Sequence, residues 1–319
     1  MATILAADIG GTNSRFGLFQ TEDCRQPRMV DSCCVSSSEV GSFAELLDRV
    51  EALGLRLSDA DRIVLAVAGV VQNGLCCQLT NAAWSIDLRL TSSRLPQERT
   101  TLINDFVAQA VGCVSRAVAN SLSPVQNPGD VPGVVAVVGA GTGLGHCALV
   151  PRPGGGCMSM PLPSEGGHAP LACITDREFE FQKFLCRETG YSHLFGDIVV
   201  SGRGLTAIHH FLTGKRLAPS EVAAEIGPQS ETTAWFARFF ARACRGYVLQ
   251  VLAGSLYLCG GLVAKNPWLA ANEDFVREFC DCPAYEHLLS AIPISVVTHG
   301  EVGLIGAAMY AQMCLEPAI

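Results

Sequence analysis

Two glycine-rich turns, each flanked by apolar runs, constrain the fold of this chain more than any other sequence feature. The first lies in LAADIGGTNSRFGLF, residues 5–19, where an apolar strand ends at Asp8, a turn follows at residues 10–13, and a second strand returns. The second lies in VVAVVGAGTGLGHCALV, residues 134–150, and repeats the order of strand, glycine turn and strand. The repetition predicts two matching hairpins in two related halves of the molecule.

Both turns have the composition of phosphate-binding loops. Glycine lets backbone N–H groups approach phosphate oxygens, and a threonine hydroxyl adds another donor. Two such loops would bind a polyphosphate from both sides, and Asp8 would hold the magnesium ion of a nucleotide directly or through water. The alternative is that each turn is only a hairpin connection. The sequence has neither the P-loop pattern nor the dinucleotide-binding glycine spacing, so neither of those sites is predicted.

Length and composition predict two packed domains. The chain has 319 residues, of which 49% are hydrophobic. A formal net charge of −8 argues against a nucleic-acid-binding surface. Asp8 and Arg15 interrupt the apolar start, so no signal peptide is predicted and we expect a cytoplasmic protein. Fifteen cysteines without a C-x-x-C pattern, in a chain of this size, are expected to be reduced and mostly buried.

One uncharged stretch, residues 246–264, approaches the length of a membrane helix. Gln250, Ser255 and three glycines interrupt this stretch, so it is predicted to be the end of a helix followed by a short strand. No membrane association is expected.

Strands and helices alternate along the chain, which predicts the α/β class. Helical spacing is found at residues 42–53, 106–114, 176–188, 231–253 and 298–313, the last with a glycine turn before it, and strands are predicted at residues 63–68, 102–103 and 255–259. Residues 198–205 are predicted to be a short apolar piece followed by a glycine turn. Residues 121–133, which contain three prolines, are predicted to connect two strand units. His146 is assigned to a strand and Cys147 to the core.

Five segments together resemble the bacterial glucokinases of the sugar kinase and actin superfamily: the two hairpins, LINDF at 102–106, PSEGGH at 163–168 and LCGGLVAKN at 258–266. The resemblance extends from Ala7 to the end of the chain. It implies a two-domain actin-like α/β fold with a ligand cleft between a small domain, residues 1–108 plus 301–319, and a large domain, residues 109–300. The zinc motif of the related ROK kinases is absent after His168.

The resemblance also implies a reaction, the phosphorylation of glucose to glucose 6-phosphate with ATP and Mg²⁺. Asp105 is the implied general base that accepts the hydroxyl proton. The alternative for this aspartate is a helix N-cap. The implied sugar-binding residues are Asn104, Gly143, Glu165, His168 and Asp197. Asp197 stands where the family has a glutamate, so its carboxylate is one methylene shorter; the alternative is a loop residue that caps local N–H groups after Gly196.

The residues implied to bind ATP lie in the two hairpins and in two later glycine pairs. They are Asp8, which would also hold Mg²⁺, with Gly10, Gly11, Thr12, Asn13, Gly141, Thr142, Gly202, Gly204, Gly260 and Gly261. The resemblance puts phosphates on the hairpins and adenosine near the later glycines, for which helix capping is the alternative. A kinase for another hexose or an amino sugar, or a non-catalytic sugar sensor, are the alternative functions. We also expect a homodimer that binds neither nucleic acid nor membrane.

Overall fold

The computed structural model describes residues 1–22, 26–80, 82–91, 93–127, 129, 131–152 and 159–315. The strands among these residues are β1 (Ala2–Ile9), β2 (Asn13–Thr21), β3 (Arg28–Ser36), β4 (Arg62–Val67), β5 (Val71–Gln72), β6 (Cys76–Gln78), β7 (Ser85–Asp87), β8 (Thr100–Asn104), β9 (Leu122–Gln126), β10 (Val135–Ala140), β11 (Leu144–Val150), β12 (Met160–Ser164), β13 (Ser255–Cys259) and β14 (Ile294–Val297).

The α-helices among the described residues are α1 (Phe43–Ala52), α2 (Asp105–Cys113), α3 (Asp176–Thr189), α4 (Gly196–Val199), α5 (Gly202–Thr213), α6 (Pro219–Glu225), α7 (Glu231–Val251), α8 (Gly261–Lys265), α9 (Glu273–Cys280), α10 (Glu286–Leu289) and α11 (Val302–Leu315). Short 3₁₀ helices span Ser37–Glu39, Leu57–Asp59, Leu88–Leu90, Arg116–Ser121, Gly166–His168 and Pro267–Leu269.

The chain divides into two compact units. Unit 1 comprises Met1–Asn120, Arg152–Pro161 and Glu301–Ile319, and unit 2 comprises Ser121–Pro151 and Leu162–Gly300. The two predicted hairpins are present, one in each unit, as β1–β2 and β10–β11. The functional domains predicted from the sequence, residues 1–108 plus 301–319 and residues 109–300, stay a prediction.

Unit 1 is built on a five-stranded sheet in the order β3-β2-β1-β4-β8. On one side of β1, β2 pairs antiparallel with β1 and β3 pairs antiparallel with β2. On the other side, β4 pairs parallel with β1 and β8 pairs parallel with β4. Helix α1 was predicted from its spacing, and it buries the four expected apolar residues Phe43, Leu46, Leu47 and Val50. Ser42 caps this helix by accepting a hydrogen bond from the Glu45 N–H, which fixes where the helix begins.

Helices α2 and α11 pack together in unit 1 through glycine. A β-carbon on Gly112 would lie 2.0 Å from the carbonyl oxygen of Val302, and one on Gly306 would lie 1.7 Å from that of Ala108. Because no side chain fits at either position, the two helix backbones come into direct contact. This contact holds the start of α11 beside the end of the central sheet.

Unit 1 also contains a small sheet in the order β5-β6-β7 that was not predicted from the sequence. Its strands are two or three residues long, which is too short for an alternating pattern to identify them.

Unit 2 is built on a six-stranded sheet in the order β12-β11-β10-β13-β14-β9. The prediction that residues 121–133 only connect two strand units is wrong, because Leu122–Gln126 form the edge strand β9, antiparallel to β14. Pro124 lies in this strand, and an edge is where a strand tolerates a residue that cannot donate a backbone hydrogen bond.

In unit 2 the helix predicted at residues 176–188 is confirmed as α3, in which Phe181 and Leu185 are buried and Phe179 is 46% exposed. Another prediction needs correction. Residues 198–205 were expected to form an apolar piece and a glycine turn. Instead, α4 ends at Val199, Ser201 caps α5, and the glycines of this segment belong to the first turn of α5. The predicted helix end and strand in residues 246–264 are confirmed by α7 and β13.

None of the cysteines in the described part of the chain forms a disulfide bond. Five are buried, seven are half-buried and Cys34 is exposed, so the expectation that most are buried is wrong. Cys24 and Cys157 lie outside the described residues. None of the described helices is both long enough and apolar enough to span a membrane.

Candidate active site

The first hairpin of unit 1 closes with a hydrogen bond from the Gly10 N–H to the carbonyl oxygen of Asn13, at 3.0 Å. Thr12 and Asn13 are exposed, and Gly11 is half-buried. The tip of the turn is therefore accessible to a ligand, and the Thr12 hydroxyl is available as a donor there.

Asp8 lies beside this turn, opposite Arg15 on the neighbouring strand. Burial raises the pKa of the Asp8 carboxyl, and the charge of Arg15 acts in the opposite direction. A β-carbon on Gly303 would lie only 2.7 Å from Asp8 Oδ2, so the carboxylate occupies space left by that glycine at the start of α11. The N-terminus of a helix favours a negative charge. A carboxylate with incomplete solvation at this place has the chemistry that a magnesium ion requires.

Asn104, the last residue of β8, is the N-cap of α2. Its Oδ1 accepts from the Phe106 N–H at 2.9 Å, and its Nδ2 donates to the carbonyl oxygen of Gly69 at 3.1 Å. These two bonds fix the orientation of the amide and leave one N–H of Nδ2 for a further acceptor. The alternative that Asp105 is merely the helix N-cap is wrong, because Asn104 occupies that position.

Asp105 is the first residue of α2 and is half-buried. It lies near Cys77, whose pKa is raised to about 11 by burial and by the charge of Asp105. This thiol therefore stays protonated near neutral pH and is not a nucleophile. Gly69 packs directly against this thiol, because a β-carbon there would lie only 2.7 Å from Cys77 Sγ.

The second hairpin, in unit 2, is tied to both of the later glycine pairs. The Gly141 N–H donates to the carbonyl oxygen of Gly143 at 2.9 Å, and the Gly202 N–H donates to that of Gly141 at 2.9 Å. A β-carbon on Gly141 would lie 3.7 Å from the backbone nitrogen of Gly261. Thr142, at the tip, is exposed. The structure thus brings Gly141, Gly202 and Gly261 together.

The structure requires glycine at residues 260 and 204. Gly260 is the N-cap of α8 with a φ of 92°, and a β-carbon there would lie 2.5 Å from the carbonyl oxygen of Ala140. A β-carbon on Gly204 would lie 1.8 Å from the carbonyl oxygen of Val199. The Gly204 N–H already donates to the Ser201 side chain at 3.3 Å. The predicted contact of Gly204 with nucleotide stays a prediction.

Asp197 is bonded to the second hairpin. Its Oδ1 accepts from the Leu144 N–H at 2.9 Å, and its Oδ2 accepts from Arg203 at 3.1 Å. A β-carbon on Gly143 would lie 2.1 Å from Asp197 Oδ1, so only glycine at 143 permits this bond. The carboxylate keeps further lone pairs, but two protein donors already define its position.

His168 ends the short 3₁₀ helix that follows β12, and Glu165 is the residue just before this helix; their side chains are 61% and 72% exposed. His168 Nε2 is 3.9 Å from Glu165 Oε2. Between them, Gly167 packs so closely that a β-carbon would lie 1.9 Å from the carbonyl oxygen of Leu144. The segment is therefore seated on the same end of β11 that Asp197 holds.

The sequence did not indicate three residues that the structure adds to these sites: Cys77 beside Asp105, Gly303 beside Asp8, and Arg203 beside Asp197. The glycine pattern of residues 202–204 drew attention to the segment but not to the arginine within it. No group of three or more histidine, cysteine, aspartate or glutamate side chains in the described residues forms a metal site of its own.

The chain matches the family model described as Glucokinase over residues 5–314. It is 32% identical to the glucokinase of Stenotrophomonas maltophilia (strain R551-3), with 97% of this chain and 94% of that protein covered. It is 29% identical to the glucokinase of Trichormus variabilis (strain ATCC 29413 / PCC 7937), with 98% and 99% covered.

Solved structures give the same result for the fold. The crystal structure of glucokinase from an Antarctic psychrotroph superposes with a TM-score of 0.80 and 26% identity, covering 98% of this chain and 99% of that chain. A glucokinase from Balamuthia mandrillaris, in complex with glucose, has a TM-score of 0.81 at 19% identity, covering 98% and 94%. The second likeness concerns the fold alone.

The α/β fold, the paired glycine hairpins and the strand-to-helix aspartate define a sugar kinase of the actin-like fold. Within that class, the family match over residues 5–314 is decisive. The chain belongs to the glucokinase family, as its motifs predicted.

Proposed function

We propose that this glucokinase-family enzyme transfers the γ-phosphoryl group of ATP to the 6-hydroxyl of glucose with Asp105 as the general base. Phosphoryl transfer requires the protein to position the two reactants and to accept the hydroxyl proton. One observation carries the assignment of the base: Asn104, and not Asp105, caps α2. Helix capping therefore does not account for the aspartate that begins α2, and we assign it to proton transfer.

The sugar side of the proposal comprises Asn104, Gly143, Glu165, His168 and Asp197. Hydroxyl groups of a sugar both donate and accept, so a site needs carboxylates together with N–H donors. Asn104 has one N–H left, and the exposed side chains of Glu165 and His168 supply an acceptor and an imidazole. Asp197 retains lone pairs on the carboxylate that Leu144 and Arg203 hold in place.

The nucleotide side comprises Asp8, Gly10, Gly11, Thr12, Asn13, Gly141, Thr142, Gly202, Gly204, Gly260 and Gly261. The exposed turn residues Thr12, Asn13 and Thr142 support phosphate binding at the two hairpins. The later glycines are assigned to the adenosine end. Mg²⁺ bound with ATP would neutralise phosphate charge, and Asp8 is the residue that would hold it, directly or through water.

The proposal retains the other expectations from the sequence. Residues 1–108 with 301–319 act as the small domain and residues 109–300 as the large domain. The enzyme works as a cytoplasmic homodimer that begins glucose breakdown by glycolysis.

A coupled assay of the purified chain tests the proposed reaction. Glucose, mannose, fructose and N-acetylglucosamine are each tested with ATP, ADP and polyphosphate, with and without Mg²⁺. We expect the highest kcat/KM for glucose with ATP and no turnover after chelation. A higher kcat/KM for another sugar would reassign the substrate. Glucose binding without turnover under any condition would instead identify a sugar sensor.

A further inference from the structure

The imidazole of His146 is buried in unit 2 without a hydrogen-bond partner. His146 lies on β11, just after the second hairpin, and is only 4% exposed. Neither ring nitrogen has a partner among the described residues. The ring stacks on Tyr247, with the ring centroids 4.6 Å apart and the planes within 8°. Burial lowers the pKa of His146 to about 4, so near neutral pH the ring has one N–H donor and one acceptor, both unused.

A buried donor without an acceptor is unfavourable, and few occur in native proteins. Stacking on Tyr247 does not require nitrogen atoms, because a phenylalanine ring would stack there equally well. The imidazole therefore needs an explanation beyond packing in the state that the structure describes.

The position of His146 indicates which partner it serves. A β-carbon on Gly166 would lie 2.5 Å from His146 Nδ1 and 3.1 Å from Ser164 Oγ. The imidazole thus lies directly against the backbone of the segment that carries Glu165 and His168. The side chains of Glu165 and His168 on this segment are exposed, whereas the imidazole of His146 is buried beneath its backbone.

We propose that His146 is a positioning residue of the sugar site, whose imidazole N–H donates to the backbone of residues 165–168 when glucose is bound. This inference rests on the proposed function, which assigns Glu165 and His168 to the sugar. A hydrogen bond made only in the bound state favours that state, because a ligand shifts an equilibrium by its differential interaction with the two states. His146 thereby adds to glucose affinity without contacting glucose.

A purely structural role makes a different prediction. A buried water joining His146 to the neighbouring hydroxyl of Ser164 would satisfy the ring in every state. The imidazole would then contribute equally to the free and the glucose-bound protein, and glucose affinity would not depend on it.

The test compares His146→Phe, which keeps a flat ring on Tyr247 but has no donor, with His146→Gln, which keeps an N–H donor. We expect His146→Phe to raise the melting temperature of the glucose-free protein by about 2–4 °C, because the unused polar atoms are gone. Its glucose Kd should rise about three- to tenfold, with KM for ATP unchanged. His146→Gln should restore most of the glucose affinity.

Several outcomes would overturn the inference. One is a His146→Phe variant with wild-type glucose Kd, whatever its melting temperature, and another is an equal loss of glucose and ATP affinity. If His146→Phe does not fold, NMR of the wild-type protein still tests the inference. On adding glucose, the imidazole N–H resonance of His146 should move downfield, and this proton should exchange more slowly with water. An unchanged resonance contradicts the proposal. Glu165→Gln serves as a separate check, since unchanged glucose affinity in that variant would refute the sugar-site assignment itself.

Discussion

Gly303 lies directly against the carboxylate of Asp8, so that a β-carbon on residue 303 would be 2.7 Å from Asp8 Oδ2 and 3.1 Å from its Cγ. Asp8 is near the end of β1, and Gly303 is the second residue of α11. The start of this helix therefore limits where the carboxylate can lie. In the proposed reaction, that carboxylate is the one that holds Mg²⁺.

Gly303→Ala should displace Asp8 and impair the use of Mg-ATP. We expect kcat/KM for ATP to fall about tenfold or more, because small errors in the position of a reacting group are costly, while glucose Kd stays within about twofold. Gly300→Ala is the control, since nothing lies within 4 Å of a β-carbon there. Steady-state kinetics at varied ATP, with calorimetry for glucose, measures both values. Equal kinetics of the two variants would refute the requirement for glycine at residue 303.

Gly141→Val tests the phosphate role of the second hairpin. A β-carbon at this position would make only an ordinary contact, 3.7 Å from the Gly261 nitrogen, and its φ is outside the left-handed region. The variant should therefore fold, yet its branched side chain would cover N–H groups that are proposed to meet phosphate. We expect ATP binding to become undetectable by calorimetry, with Gly227→Val, which has open space, as the control. Unchanged ATP affinity would remove phosphate binding from this turn.

Two substitutions at Asp197 distinguish its proposed contact with the sugar from its support of the second hairpin. Asp197→Ala should raise KM for glucose about tenfold, as the loss of a charged hydrogen bond does, and KM for ATP much less. Asp197→Asn keeps an oxygen that can accept from Leu144, so it retains the hairpin bond but not the charge. We expect it to raise KM for glucose as well. Wild-type KM values in the asparagine variant would mean that Asp197 only supports Leu144.

The buried charges of unit 2 predict how its stability depends on pH. Arg242 bonds both Glu178 and Glu278, and all three side chains are at most 8% exposed. Burial alone would raise the pKa of Glu178, but its bonds to Arg242 lower the pKa below the usual value. The folded protein thus gains stability from this carboxylate above its unfolded pKa, and loses it as pH falls through the lowered value.

Glu178→Gln should therefore destabilise the protein by about 1.5–3 kcal/mol near neutral pH, because Arg242 loses its charged hydrogen bonds to Glu178 while it keeps those to Glu278. The difference from wild type should shrink as the pH is lowered below about 4. Urea unfolding of both proteins from pH 3 to pH 7 measures this dependence. Glu273→Gln, on a carboxylate that is 96% exposed, is the control and should change stability by less than about 0.5 kcal/mol. A constant difference across the pH range would contradict the assignment to Glu178.

Sequence reasoning succeeded where the signal is local. The apolar runs around both glycine turns predicted the hairpins, and the spacing of Phe43, Leu46 and Leu47 predicted helix α1 and its buried face. Sequence reasoning failed where the position of a segment in the fold decides its structure. Pro124 indicated a connection between strands, but it lies in the edge strand β9, where a proline is tolerated.

The supporting contacts of the candidate site were beyond the reach of the sequence. The bond from Leu144 to Asp197 joins residues 53 positions apart, and Gly303 is even farther from Asp8 along the chain. The sequence around each of these residues does not identify the residue that it contacts, because the contact is determined by the packing of whole helices and strands. The same holds for His146, which the pattern placed on a strand but whose unused nitrogen atoms only the structure reveals.

The most direct test of the account is Asp105→Asn, measured for turnover and for glucose binding on the same preparation. The asparagine keeps the size of the side chain but cannot accept the proton of the 6-hydroxyl. We expect kcat to fall by about 100-fold or more, as loss of a general base does, while calorimetry gives a glucose Kd within about threefold of wild type. A variant that binds glucose normally and keeps a near-normal kcat would show that Asp105 is not the base.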